Sequence, residues 1–354
     1  MKSTQTQAEI EEQLAAQLLD LGDEPSEISA PVPSVTFKKE LKKATKIKDR
    51  ARLVIGSSLE DVRMGQQVAL GPVKEVIHDI IESVHRNPDA ILSLSMLKKR
   101  DDYTFMHSVN FGVLIISLCH NMKMKPDDIA AVGLGGMLHD IGKMRIPSKI
   151  LNKPGALTSK ELLQVRRHVE QGARILERTP GIQQTSIQVA SLHHERLDGS
   201  GYPNALKGDE INLIGRIAAI IDVYDAITST SCYRKSLDPH LVLKKMMGFR
   251  GRLVDDELLQ TFINCIGIYP IGSLVKLENG LIGVVIRSNP GSLLHPVINV
   301  IIDSKKKKRI KPEEFDLLAY KGDKKSGYKI KKLESIKEWK VDPRKFMPIP
   351  DSFF

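Results

Sequence analysis

Leu138-His139-Asp140-Ile141-Gly142-Lys143 places an imidazole and a carboxylate side by side, then a glycine, then a lysine. Such a pair can offer one nitrogen and one oxygen ligand to a metal, or one carboxylate shared by two ions. The glycine is expected to end the preceding helix, and the lysine stands where a phosphate-bearing ligand could meet it. Alone, a His-Asp dipeptide fits a structural role equally well. The reading turns on how many other ligand-type side chains the same region carries.

From residue 91 to about 267 the pattern is helix after helix with short connections. Tyr103 to His120 reads as one helix, and Asp127 to His139 as a second. Thr158-Ser-Lys-Glu161 is a capping box that starts a third, expected to hold His168 and run to about Arg178. Ile182 to His194 is a fourth; Ile211 to Ser229, unusually apolar, is expected at the centre of the bundle. Pro239 opens a sixth and Asp255 to Ile266 forms a seventh.

These helices carry His107, His139 with Asp140, His168, His193 with His194, and Asp222. Five histidines and two carboxylates exceed the needs of one zinc ion. They fit two ions bridged by a carboxylate and a water, an arrangement used to hydrolyse phosphate esters. Asp222 lies in Ile220-Ile-Asp-Val-Tyr224, where a carboxylate is costly to bury unless paired or metal-bound. The bland alternative is a set of capping or hydrogen-bonded histidines. His78, His85, His120, His240 and His295 have no such company and read as ordinary residues. Tyr103, one turn before His107, is open to either a ligand-facing or a core position.

His193-His-Glu-Arg-Leu-Asp-Gly-Ser-Gly-Tyr-Pro203 is a constrained loop directly after two possible ligands. Loops so placed shape access or present a docking surface. Glu195, Arg196 and Asp198 read as residues that fix the loop or its neighbours rather than as ligands.

Outside this region, residues 1–35 read as a flexible segment and linker, and 36–90 as a helical accessory region. A basic first part, Lys38 to Arg52, reads as a solvated or helix-packing face rather than a nucleic-acid contact. After Tyr269-Pro270 the period changes to two, with a hairpin turning at Asn279-Gly280 and a strand over Val297–Ile302. Lys305–Lys308 reads as a solvated turn, and the last 40 or so residues as a loosely packed basic tail. The chain has 354 residues and a net charge of +10, from 53 basic against 43 acidic residues. That charge suits a phosphorylated ligand, a nucleic acid or an anionic surface, but a basic tail explains it as well. Cys119, Cys232 and Cys265 are far apart, which with the lack of a signal-like or membrane-length apolar run points to reduced thiols in the cytoplasm.

Leu138–Lys143 together with His193–Pro203 resemble the two signatures of the HD-GYP proteins, bacterial phosphodiesterases of cyclic di-GMP within the HD phosphohydrolase superfamily. The resemblance runs from about residue 98 to 267, through Tyr103-Thr-Phe-Met-His-Ser-Val-Asn110, His168-Val-Glu-Gln-Gly172 and Asp222-Val-Tyr-Asp-Ala-Ile-Thr-Ser229. Glu60-Asp-Val-Arg-Met-Gly65 resembles a domain that often precedes such modules, and the strands after Pro270 an extension common among them. The resemblance implies a mainly α fold: an HD-type helical bundle at 91–267, a helical N-terminal region, and a small β-rich extension with a basic tail at 268–354.

It also implies a metal pair, iron or manganese. His107, His139, Asp140 and Asp222 would hold one ion, and Asp140 would bridge to a second held by His168, His193 and His194. Where some members carry a glutamate for a third ion, this chain has Tyr103, which favours two. A bridging hydroxide would attack the cyclic dinucleotide, with Lys143 and Arg234 beside the phosphate and Tyr202 in the binding site, giving linear pGpG or GMP. One departure stands out: family members read Arg-Pro where this chain has Ser231-Cys232. Two alternatives therefore stay open. One is a sensor or scaffold of low activity that docks a signalling partner through Gly201-Tyr202-Pro203, with a homodimer compatible; the other is a phosphohydrolase of a different nucleotide. Neither nucleic-acid binding nor a membrane span is expected.

Overall fold

The computed structural model describes residues 33–96, 103–228, 239–289, 292–323 and 325–348. They divide into two compact units, 33–265 and 266–347. The side chains of Tyr103 and His240 lie outside the description, as do residues 1–32, Ser231, Cys232 and Arg234.

The first unit is helical. Its elements are α1 Phe37–Arg63, α2 Leu70–Arg86, α3 Pro88–Met96, α4 Tyr103–Asn121, α5 Pro126–Leu138, a 3-10 turn Ile141–Arg145, α6 Ser148–Leu151, α7 Ser159–Arg166, α8 His168–Glu177, α9 Gln184–Leu192, α10 Leu213–Thr228, α11 Pro239–Met247 and α12 Asp256–Ile266. α4 packs on α5, α5 on α9, α9 on α10, and α10 back on α4, while α8 lies on the 3-10 turn. α10 buries Ile217, Ala218, Ala219, Ile220 and Ile221, as its apolar composition predicts.

The N-terminal helices pack onto this bundle. α1 packs against α2, α3, α4 and the 3-10 turn, burying Leu41, Ala44, Ala51, Ile55, Leu59 and Val62. Two cations of its basic stretch have local partners, while Lys38, Lys39, Lys42, Lys43 and Lys46 are exposed. Arg50 pairs with Asp79 at 3.0 Å and with Glu75, and the buried Lys48 ammonium donates to the Leu94 carbonyl. Arg86 and Ser83 both donate to the buried Glu40, which ties α2 to the start of α1.

The third helix expected from the capping box is two helices. Thr158 and Glu161 cap α7 as anticipated, but α7 ends at Arg166 and α8 begins at His168. The His168 ring takes the Val165 carbonyl at 2.7 Å and Arg167 N–H bonds Gln164 in the tighter 3-10 pattern, so the helical ladder is interrupted where the histidine must face inward.

The second unit is an antiparallel sheet of order β4-β3-β2-β1-β5, with β1 Leu274–Leu277, β2 Leu281–Asn289, β3 Ser292–Asp303, β4 Lys308–Asp316 and β5 Ile330–Glu334. β1 and β2 turn at Asn279-Gly280. Its core cluster buries Val275, Leu277, Val285, Ile298 and Val300 of the strands with Leu317 of the 3-10 turn that follows β4. The tail is not loose here: β5 pairs with β1, and the Trp339 indole donates to Glu334 at 3.1 Å. Short lysine-rich strands hide the alternation that would have marked β5 as part of the sheet. Residues 266–354 hold 18 basic and 10 acidic residues, so most of the net charge lies in this part of the chain. Among the described residues no helix is long and apolar enough to cross a membrane.

Candidate metal centre

The ligand-type residues converge because they sit at helix ends that meet. His107 is in the first turns of α4; His139 caps α5, and Asp140 leads into the 3-10 turn. His168 opens α8, His193 caps α9 and His194 follows it. Asp222 and Asp225 lie three residues apart on α10, hence on one face.

Every one of these histidines has its Nδ1 committed. His139, His168 and His193 donate to the carbonyls of Gly136, Val165 and Ala190, three residues back in each case, at 2.8, 2.7 and 2.9 Å. The His107 Nδ1 donates to Asp225 Oδ2 at 2.5 Å, and the His194 Nδ1 to Asp222 Oδ2 at 3.0 Å. Carbonyls and carboxylates only accept, so in the neutral ring Nδ1 carries the proton and Nε2 the lone pair. His107 and His139 then turn these lone pairs toward each other at 3.2 Å, and His168 and His193 do so at 3.4 Å.

Asp140 lies between the two pairs. Its Oδ2 is 3.5 Å from His107 Nε2 and 3.4 Å from His139 Nε2, while Oδ1 is 3.3 Å from His168 Nε2 and 3.9 Å from His193 Nε2. The carboxylate is buried and Oδ1 accepts no hydrogen bond; Lys143 Nζ lies 2.5 Å from Oδ2. Two donor groups result, His107–His139–Asp140 and His168–His193–His194, each with ligand atoms within 4.8 Å of one another. Facing lone pairs around an unsatisfied buried carboxylate oxygen are unfavourable unless cations lie among them. The donor set therefore fits a pair of metal ions, with an Asp140 oxygen toward each.

The electrostatics keep these donors in ligand form. Burial, with the neighbouring His194 and His139, pushes His193 well below the ordinary histidine value; burial brings His194 down to about 4 despite Asp222 beside it. For Asp140 burial alone would raise the pKa, but Lys143 and His139 outweigh it and hold the carboxyl well below the usual range. Asp222 is likewise held low against its own burial, by His194 and Arg196. The imidazoles of His193 and His194 are thus neutral, and both carboxylates ionised, at neutral pH.

The loop after His194 closes over this centre. The fully buried Glu195 accepts the N–H groups of Asn204 and Leu206 at 2.8 and 3.1 Å, and Tyr202 N–H donates to the His194 carbonyl at 3.2 Å. A side chain at Gly201 would collide with the backbone of His194, Glu195 and Arg196 at 2.5–2.6 Å, so only glycine lets the loop fold back this closely. Tyr202 then lies over the centre, its ring 4.6 Å from that of His194, and the Arg166 guanidinium lies over the Tyr202 ring, 4.8 Å from its centroid. Asp198 accepts from Ser200 N–H and pairs with Arg252.

An HD-domain profile matches residues 91–258, and a profile for a KOW domain associated with HD domains matches 274–333. A cyclic di-GMP phosphodiesterase of Pseudomonas aeruginosa is 39% identical over 290 residues, which cover 82% of this chain and 70% of that protein. The chain belongs to the HD-GYP family. Other relatives are matched over part of their length. A 3′3′-cGAMP-specific phosphodiesterase of Vibrio cholerae is 31% identical over 55% of this chain but only 38% of its own length. The fold agrees with that of an HDG"Y"P protein from Bdellovibrio bacteriovorus, at a TM-score of 0.52 over 72% of this chain and 79% of the other, with 16% identity.

Within this HD-GYP chain the structure places Asp222, Asp225 and Gly142 as follows. Asp222, expected as a ligand in the group of His107, has its Oδ2 3.0 Å from both His194 Nδ1 and the Arg196 guanidinium. The helical register places Asp225, not Asp222, opposite His107. Gly142 does not end α5, which stops at Leu138; it is needed because a Cβ there would lie 1.9 Å from the His168 carbonyl oxygen. Arg166 and Phe111, the latter stacked on His139 at 4.1 Å, are site neighbours that the sequence reading passed over. For Asp225 a signal existed, since the burial argument made for Asp222 applies equally one helical turn later.

Proposed function

We propose that this chain hydrolyses cyclic di-GMP, opening one phosphodiester to give linear pGpG and, with a second cut, GMP. The observation that carries this reading is the Asp140 carboxylate, with one oxygen toward each of two histidine groups whose bare Nε2 atoms converge on it. The Pseudomonas relative bears that activity in its name, and its match extends over most of both chains.

In this reading His107, His139 and Asp140 hold one divalent ion, and Asp140, His168, His193 and His194 the other. Asp222 orients His194. Nitrogen and oxygen donors in this mixture suit iron or manganese. Ions bound there supply an acidified water and positive charge for the phosphoryl oxygens. Lys143 sets a cation at the edge of Asp140, where a phosphate arriving at the centre meets it. Tyr202 and Arg166 offer a ring face and a guanidinium at the rim, chemistry suited to a base and its phosphate. Tyr202 turned onto His194 supports this substrate-side role over an outward docking surface.

The test is to purify the protein without air exposure, count iron and manganese, and follow cyclic di-GMP by product chromatography with Asp140→Ala as control. About two metals per chain and pGpG or GMP only from the intact protein is the expected result. Two metals with tight binding and no product would replace the enzyme reading with a sensor. The Vibrio relative favours a second substrate, 3′3′-cGAMP, and its hydrolysis in preference to cyclic di-GMP in the same assay would transfer the assignment to that dinucleotide.

A further inference from the structure

His107 differs from the other histidines of the centre in where it sits. His139, His168 and His193 stand at helix boundaries and use the carbonyl three residues back to fix their rings. His107 lies within α4, where the carbonyls of the preceding turn are engaged by the helix itself. Its Nδ1 is met instead by a side chain from another helix, the fully buried Asp225 of α10, at 2.5 Å. Among the described contacts, Phe111 and His139 meet its ring edge-on and Asp140 Oδ2 lies 3.5 Å from its Nε2, so none of these fixes the tautomer through Nδ1.

We propose that Asp225 is a positioning residue for one of the two metal groups, holding His107 as the Nδ1–H tautomer so that its Nε2 lone pair joins His139 and Asp140. The inference rests on the metal reading given above. A carboxylate behind a ligating imidazole fixes its orientation and raises its basicity, and loss of such a partner typically weakens metal binding by about 10- to 100-fold. The same helix carries Asp222 one turn earlier against His194, so α10 supports one histidine of each group. Loss of Asp225 should therefore weaken one metal of the pair and spare the other. A residue that merely ties α10 to α4 would have no such selectivity.

The experiment uses the full-length chain, stripped of metal and titrated with Mn²⁺, reading equivalents and affinities by calorimetry alongside the melting temperature of the metal-free protein. The variants are Asp225→Ala, Asp225→Asn, His107→Ala and the Asp225→Ala/His107→Ala double variant. Two equivalents are expected for the unaltered chain and one for His107→Ala. Asp225→Ala should keep one equivalent at its original affinity and weaken the other by about 10- to 100-fold. Asp225→Asn should lose less, since its amide oxygen still accepts from Nδ1. The double variant should bind as His107→Ala does, because Asp225 acts through that ring.

Unchanged affinities in Asp225→Ala, equal weakening of both equivalents, or a further loss in the double variant would each overturn the proposal. Should Asp225→Ala fail to fold, Asp225→Asn decides: it must weaken the same equivalent that His107→Ala removes. If the unaltered chain takes up no Mn²⁺, or His107→Ala still takes up two equivalents, the metal reading itself is wrong and this proposal falls with it.

Discussion

His107 and His139 face one another through Nε2 atoms 3.2 Å apart, each with its Nδ1 proton already given to an acceptor, Asp225 for one and the Gly136 carbonyl for the other. With both rings neutral no proton lies between them, and without a cation the contact sets two buried lone pairs against each other. Metal bound only by the folded state then stabilises it. At a free ion concentration a hundredfold above the dissociation constant the gain is about 2.7 kcal/mol, and in a unit of this size its loss lowers the melting temperature by roughly 5–10 °C. Chelation followed by thermal melting should show that fall, reversed by adding Mn²⁺. A melting temperature indifferent to both treatments would show that no ion is held there.

Gly142 offers a test of how the two halves of the centre are joined. Its α-carbon lies so close to α8 that an alanine methyl would stand 1.9 Å from the His168 carbonyl oxygen and 2.5 Å from Gly172 N. The obstacle is backbone, which cannot rotate away as a side chain can. Gly142→Ala should cost about 1–3 kcal/mol of stability by overpacking and push His168 away from Asp140. Loss of one metal equivalent together with a lower melting temperature is the expected outcome, and wild-type metal content would show that α8 yields without disturbing its histidine.

Much of this site was legible in the chain because ligand-type residues are scarce enough that their clustering speaks. His139-Asp140 and His193-His194 announce themselves as adjacent pairs, and His168 follows a capping box whose residues form the bonds expected of them. The same kind of signal, period two around Asn279-Gly280, exposed the hairpin of the second unit. What stayed hidden depends on partners distant in sequence. The break at Arg167 follows from a side chain taking a backbone carbonyl, which no propensity encodes. Which histidine Asp222 and Asp225 each meet depends on the face of α10 that is turned toward it, about 100° of helical rotation per residue that composition alone does not set. The purpose of Gly142 is visible only once α8 is laid against it.

Lys153, with the backbone and hydroxyl of Thr158, holds the Glu161 carboxyl down to about 2, from an ordinary 4.5. A lowered carboxyl pKa means that the unfolded chain binds the proton more readily, so the contribution to stability is complete above about pH 4.5 and fades as pH falls toward 2. Glu161 caps α7, the helix that leads into His168, through its bond to Thr158 N–H at 2.7 Å. Glu161→Gln should therefore melt below the unaltered protein at pH 6, with the gap narrowing toward pH 3.5. A gap that does not change with pH would mean that the carboxylate's charge contributes nothing and that only its shape matters.

Arg166 stands over the Tyr202 ring at 4.8 Å, two residues before His168, and it is exposed where His168 is buried. No metal ligand hydrogen-bonds to it among the described contacts, so its removal should leave both ions in place. What it offers is a guanidinium beside a ring that already lies on His194, a place for a phosphate or a guanine edge to be gripped. Arg166→Ala should raise KM for cyclic di-GMP by roughly fivefold, about 1 kcal/mol, with kcat close to unchanged, since a contact made equally in the ground and transition states affects binding alone. Metal content measured on the same sample separates this from damage to the centre. A fall in kcat with an unaltered KM would place Arg166 against the reacting phosphate instead of at the rim, and no change in either would remove it from the binding site, leaving Tyr202 to be tested alone as Tyr202→Phe and Tyr202→Ala.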